Sequence, residues 1–202
     1  MATTEKASDK ASDKTSDKAS PRDRLLDAAA QLSYRDGVSI GVEALCRAAG
    51  VSKRSMYQLF ESKGEMLAAS LERQLPRYEA RLAPGPQDAA TPRERILYVF
   101  ERLEQASVDA DYHGCPYLAA LVELKDTEHP ASVVARAVKE RLKVSFRTQA
   151  ELGGARDPEL LARQLLLVFD GASARAGARV EALDDGLATA TASALLDAAG
   201  VK

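Results

Sequence analysis

The side chains best suited to catalysis or metal binding lie in the middle of the chain. His113, Cys115 and His129 could supply a nucleophile, a base or metal ligands. A cysteine and a histidine that are close in sequence rarely reach catalytic geometry on a loop, and no third orienting residue is evident. The spacing matches no zinc pattern, and Gly153-Gly154 lacks the Lys-Ser/Thr that ends a phosphate-binding loop. The sequence therefore predicts no enzyme, no metal site and no cofactor.

Residues 42–63, VEALCRAAGVSKRSMYQLFESK, have the pattern of two short helices joined by a tight turn. Apolar residues at i, i+3, i+4 and i+7 form one face of the first helix: Val42, Leu45, Cys46 and Ala49. Gly50 can adopt a left-handed backbone and end that helix, and Ser52 is a good N-cap for the second. Met56, Leu59 and Phe60 are the predicted buried face of the second helix. This is the pattern of a helix-turn-helix.

The other face of the second helix is polar and basic. It carries Ser52, Lys53, Arg54, Ser55, Tyr57 and Gln58. Arginine and glutamine can form paired hydrogen bonds with guanine and adenine, so these side chains are candidates for DNA contacts. Lys63 lies in the first turn of the following helix, where free amides and the helix dipole also favour a phosphate. A solvated structural face would have the same periodicity, so spacing alone leaves both interpretations open.

The run AAGVSKRSMYQLFESKGEML resembles the DNA-binding domain of TetR-type transcriptional regulators, and the close match covers about residues 22–71. Gly41 stands where that family usually has a capping Ser or Thr, so the cap is weak or comes from Ser39. Met56 stands where Leu is common. The resemblance implies a homodimeric regulator that binds a palindromic operator in double-stranded DNA. It also implies a repressor that an unidentified small-molecule effector releases from the operator.

Helical periodicity continues through the rest of the chain and indicates an all-α fold of about nine helices. Three parts are expected: a disordered polar tail at 1–20, a helix-turn-helix domain at 21–67, and a helical effector-binding and dimerisation domain at 68–202. The tail consists of an imperfect repeat, KASD, in which lysines balance acids. Pro76 is expected to kink or break the long helix that begins after Ser62.

The resemblance also suggests roles for two sets of residues in the C-terminal part. The expected effector pocket contains Phe100, Leu103, Cys115, Tyr117, Leu121, Glu123 and Phe146. Cys115 is in addition a candidate redox switch at a helix N-terminus. The expected dimer interface is a four-helix bundle that includes Leu161, Leu165, Val168, Ala172, Leu187, Ala192 and Leu195. Packing within one subunit would produce the same apolar stripes.

Composition restricts the remaining possibilities. The net charge is −2, so the whole molecule is not a general polyanion binder, whereas residues 42–63 carry four basic and two acidic side chains. No apolar run approaches the ~20 residues of a membrane span, and no signal core is visible, so we expect a cytoplasmic protein with no membrane partner. The alternative is a helical ligand-binding or adaptor protein whose helix-turn-helix is structural.

Overall fold

The computed structural model describes residues 19–85 and 87–202, so most of the predicted disordered tail lies outside the described residues. Within the described part the chain forms nine α-helices and no strand, which confirms the all-α prediction. The helices are α1 Pro21–Asp36, α2 Val42–Ala49, α3 Lys53–Leu59, α4 Lys63–Leu82, α5 Pro92–Ser107, α6 Pro116–Leu124, α7 Pro130–Leu152, α8 Pro158–Gly177 and α9 Leu187–Ala199.

Local capping explains why most helix starts agree with the sequence pattern. The side chains of Ser20, Ser52, Ser62, Thr91 and Asp157 each accept a hydrogen bond from the first turn of the helix that follows. These bonds satisfy amides that have no partner inside the helix. They therefore determine where the helices begin independently of tertiary packing.

Two helix ends depend on the backbone and not on a capping side chain. The N-cap of α2 is Gly41 and no side chain caps this helix, so of the two expected alternatives the structure has the weak cap and not one supplied by Ser39. Helix α6 ends at Leu124, because Lys125 adopts a left-handed backbone with φ 52°. A non-glycine residue in that region ends the helix as a C-cap glycine would.

Helix α4 joins two groups of helices, which we call the head (α1–α3 with the first turns of α4) and the body (the rest of α4 with α5–α9). It packs against α1 on one side and α7 on the other. The helix runs through Pro76 without a break. The predicted domain boundary between residues 67 and 68 falls inside this helix. No helix within the described residues is long and apolar enough to cross a membrane.

Each part has an apolar core. In the head, Leu45, Met56 and Phe60 are buried where α2 and α3 meet α1. In the body, Phe100 stacks on Phe146 with ring centroids 5.7 Å apart, and Phe169 meets Phe100 edge-on at 6.3 Å. Leu59 was expected in the buried face of α3 but is 38% exposed, because α3 ends there and the extended Phe60 that follows is buried instead.

We predict that Met56→Ala destabilises the protein far more than Leu59→Ala. Met56 is fully buried, and truncating such a side chain costs about 2–5 kcal/mol in lost burial and cavity formation. The partly exposed Leu59 lies three residues away on the same helix and should cost less than about 1 kcal/mol. Urea unfolding of both variants measures the difference. Equal losses would mean that α3 is not anchored through Met56.

Candidate nucleic-acid interface

The turn between α2 and α3 is tightly specified by backbone bonds. Gly50 has φ 62°, the left-handed conformation that suits glycine, and the Val51 amide donates to the Cys46 carbonyl at 3.0 Å. Ser52 then accepts from the Ser55 amide at 3.0 Å and begins α3. The direction of α3 relative to α2 is therefore set by this turn.

The polar side of α3 faces solvent. Ser52, Lys53, Arg54, Tyr57 and Gln58 are exposed, and Tyr57 retains half of its accessible surface. Ser55 is half-buried, and its hydroxyl lies 2.8 Å from that of Ser52. The structure thus brings the six predicted side chains of α3 onto or beside one surface. Hydrogen-bond donors and acceptors on an exposed helix can reach base edges in a major groove.

Lys53 has an intramolecular partner on that surface, which the sequence pattern did not indicate. Its ammonium group lies 2.7 Å from a carboxylate oxygen of Glu43 on α2. This hydrogen bond raises the pKa of Lys53 and lowers the pKa of Glu43. Both side chains are more than half exposed. Exposed pairs contribute little to stability, so a phosphate can replace Glu43 at small cost.

Lys63, the seventh predicted DNA contact, is placed differently. Its ammonium group donates to the Val38 carbonyl at 2.7 Å in the loop between α1 and α2. Partial burial lowers the pKa of Lys63, and the nearby Glu123 carboxylate opposes that shift. Lys63 therefore links α4 to the α1–α2 loop within the head. This contact could not be predicted from the position of Lys63 in the first turn of a helix.

Glu123, which was expected in the effector pocket, also contacts this loop. Its carboxylate accepts a hydrogen bond from the Val38 amide at 2.7 Å. A Cβ added at Gly37 would lie 2.7 Å from the same carboxylate oxygen, so glycine permits this close approach. Glu123 is exposed at the end of α6 and directed to the head. Glu123 therefore contacts the α1–α2 loop of the head, and a role of this residue in the effector pocket stays a prediction.

His113 and Cys115 have separate partners. The His113 ring packs edge-on against Tyr34 at 5.4 Å, and the Tyr34 hydroxyl accepts from the His113 amide and donates to the Gly114 carbonyl. The Cys115 sulfur lies 3.4 Å from the Tyr78 hydroxyl. Within residues 19–85 and 87–202 no group of three or more His, Cys, Asp or Glu side chains is arranged to hold a metal ion.

The remaining predicted pocket residues belong mainly to the body core. Phe100, Tyr117 and Phe146 are buried, and the Tyr117 hydroxyl donates to the Leu71 carbonyl at 3.1 Å. Leu103 and Cys115 line a cavity of only about 10 Å³, and Leu121 is half-buried.

A cleft of about 210 Å³ lies between α4, α5 and α7, and its lining includes Tyr78, Leu82, Val99, Val138 and Leu142. Apolar periodicity could not distinguish the lining of a cleft from filled core.

Three predicted dimer residues are corrected by burial. Leu161, Leu165 and Ala192 are at most 1% exposed and pack inside their own subunit, so they have no surface for a partner. Val168, Ala172 and Leu195 are half-buried, and Leu187 is 44% exposed. The outer face of α8 instead carries Leu160 and Leu167, which are 47% and 75% exposed. Helix α8 is apolar on two sides. The sequence pattern could not distinguish them, so the predicted dimer residues of α8 came from the side that is buried within the subunit.

Helix α3 is short, firmly anchored and polar on its outer face, and it follows a glycine turn and helix α2. These features define a helix-turn-helix DNA-binding domain. Residues 25–70 match the family model for bacterial regulatory proteins of the tetR family. A TetR transcriptional regulator of known structure from Streptomyces avermitilis is 61% identical over 91% of this chain and 100% of its own, with a TM-score of 0.88. The chain belongs to the TetR family of transcriptional regulators.

Two further similarities are more limited. An uncharacterized HTH-type transcriptional regulator of Mycobacterium tuberculosis is 36% identical over 76 residues, which span 37% of this chain and only 38% of that protein. A TetR-family regulator from Streptomyces coelicolor is 21% identical over 89% of this chain and 96% of its own, with a TM-score of 0.77. The second likeness shows the fold alone.

We predict that Lys53→Ala and Lys63→Ala affect DNA binding differently. Loss of a phosphate contact at Lys53 should lower the slope of log K against log salt by roughly 0.9 for each contact. Lys63→Ala should leave that slope unchanged and lower the free energy of unfolding by about 1 kcal/mol, because it removes the bond to Val38. Salt titrations and urea unfolding of both variants provide the measurements. A lower salt slope for Lys63→Ala would restore a phosphate role for that residue.

Proposed function

We propose that this protein is a homodimeric repressor that binds a palindromic DNA operator and is released by a small-molecule effector. The observation that carries the proposal is the exposed polar face of α3, held in place by the buried Met56. In this proposal Arg54, Ser55 and Gln58 read base edges in the major groove. The side chains of Ser52, Lys53 and Tyr57 hold phosphates on either side.

The outer surface of α8 and α9 supports a dimer. Leu160, Leu167 and Leu187 are exposed there, on helices whose opposite faces form the core, and a group of exposed apolar side chains can mark an interaction site. The same two helices also carry exposed small residues, which permit close approach of a partner helix: Gly171, Ala174, Ala190 and Ala194. Two copies related by a two-fold axis would bury this face as a four-helix bundle and place two α3 helices about one DNA turn apart, ~34 Å.

Helix α6 supports a route from the body to the head. Its N-cap, Cys115, lines the small body cavity, and Glu123 at its other end holds the Val38 amide of the head. A shift of this nine-residue helix would therefore change contacts at both places. In the proposed mechanism the effector favours a head spacing that no longer fits successive major grooves. Weakening DNA binding about 100-fold requires a differential affinity of only about 2.7 kcal/mol.

The operator is tested by selecting bound sequences from a random DNA pool with the purified full chain at near-physiological salt. We expect a palindromic site with half-sites one helical turn apart. Arg54→Ala should relax base preference at one position per half-site, at a cost of about 1–3 kcal/mol there. Equal loss of affinity for every sequence would assign Arg54 to a phosphate. Failure to enrich any site would favour the alternative of an adaptor with a structural helix-turn-helix.

The dimer is tested with Leu167→Glu, using Val122→Glu as the matched control. Both residues are apolar and mostly exposed (75% and 60%), and Val122 lies on α6, outside the proposed interface of α8 and α9. A carboxylate at the centre of an apolar interface is strongly unfavourable, so Leu167→Glu should give a monomer by sedimentation. Its operator affinity should fall on the order of 100-fold through lost bivalency. A dimer that persists would place the interface elsewhere.

A further inference from the structure

Two neighbouring cavities in the body share a wall. The first, which we call the polar cavity, has a volume of about 10 Å³, enough for roughly one water, and its lining includes Tyr112, Cys115 and Ser173. The second, which we call the apolar cleft, is the 210 Å³ space between α4, α5 and α7. Tyr78 and Leu82 of α4 line both of them. A side-chain movement at these two residues would join the cavities.

Two arginines at the polar cavity lack an acidic partner. Arg81 and Arg102 both line it, and within the described part of the chain neither is in an ion pair. Arg81 instead stacks over the Tyr78 ring at 5.6 Å, while Arg102 stacks over the Tyr98 ring at 5.5 Å and donates a hydrogen bond to the side-chain oxygen of Gln105. Two arginine side chains that line one small cavity make the potential there positive, which favours an anion.

The polar groups behind these arginines can donate hydrogen bonds to an anion. The Tyr112 and Ser173 hydroxyls lie 3.0 Å apart, so either can turn its proton toward a new acceptor. Burial raises the pKa of Tyr112 to about 12, which keeps the phenol protonated at neutral pH. Among the residues that the structure describes, no carboxylate lines the polar cavity. A cation would therefore find neither charge compensation nor a strong acceptor there.

The apolar cleft adds a hydrocarbon-binding surface. Val99, Val138 and Leu142 contribute to its lining, and Glu79 is the only acidic side chain on it within residues 19–85 and 87–202. The Glu79 carboxylate is already 3.3 Å from the Arg141 guanidinium at the same cleft, so its charge is compensated. The cleft therefore suits an uncharged apolar body, in contrast to the cationic polar cavity beside it.

We propose that the effector is a small amphipathic carboxylate, with its carboxylate at Arg81 and Arg102 and its apolar body in the apolar cleft. This assignment rests on the proposed function, because it names the ligand class of that effector site. Joining the cavities requires Tyr78 and Leu82 to move. Pro76 lies just before them and has no amide to donate within α4, which lowers the cost of displacing this last part of the helix. Tyr78 also contacts Cys115, so the same movement reaches the start of α6.

The test is direct binding of decanoate and naphthoate to the full-length dimer by calorimetry, compared with decanol, naphthamide and decylamine. We expect each carboxylate to bind roughly tenfold more tightly than its neutral analogue, and decylamine to bind weakest. Arg81→Gln/Arg102→Gln should abolish that preference. The matched control is Arg77→Gln/Arg95→Gln, which removes the same charge from α4 and α5 at residues that line neither cavity. It should keep the preference.

The assignment would be overturned if acids and neutral analogues bound with equal affinity, or if neither acid bound. It would also be overturned if both double variants lost the preference for carboxylates to the same extent. These readouts need no DNA, so they are separate from the proposed function. Operator affinity is then measured with and without decanoate. If carboxylates bind selectively but do not release the operator, the site binds this class of ligand, but the ligand is not the effector. Operator binding with no carboxylate affinity would keep the regulator and refute the ligand class.

Discussion

The burial of Met56 is the constraint on which the DNA-binding surface depends. Helix α3 has only seven residues, far fewer than the ~12–15 that an isolated helix needs for marginal stability in water. Its persistence therefore comes from packing, through Met56 in the head core and Phe60 just beyond the helix end. Arg22 of α1 stacks over the Phe60 ring at 5.3 Å and covers this contact from outside. Because the buried side is held in this way, the polar side has a defined direction.

The head and body are joined by a few directional contacts in addition to the continuous α4. Val38 is held at both of its backbone polar groups, with its amide bound to Glu123 and its carbonyl bound to Lys63. Tyr34 forms a second junction with the segment before α6 through two hydrogen bonds. Hydrogen bonds of this kind have strict geometry, so a small displacement of α6 must either move the head or break them. This arrangement suits a protein in which a ligand site and a DNA site influence each other.

The structure distinguishes core residues from surface residues where the sequence pattern could not. Leu161 and Leu167 are both leucines on α8, yet the first is 1% exposed and the second 75%. Phe100 and Val99 are adjacent on α5, yet Phe100 fills the core and Val99 lines the apolar cleft. A helix that is apolar on several sides has no single periodic stripe, so its neighbours decide which side becomes core. Cavities arise where packed side chains fail to meet, which depends on all of the surrounding helices.

Local sequence patterns are sufficient to predict the all-α class and the helix-turn-helix head. Those features depend on local chemistry: serine, threonine and aspartate side chains that cap first-turn amides, proline at first helical positions, and Gly50 in a left-handed turn. In contrast, the partners of Lys63 and Glu123, the inner and outer sides of α8, and the position of the apolar cleft depend on the packing of distant helices. Glu123 and Val38 are 85 residues apart along the chain, so only the packing of α6 beside the α1–α2 loop could bring their polar atoms together.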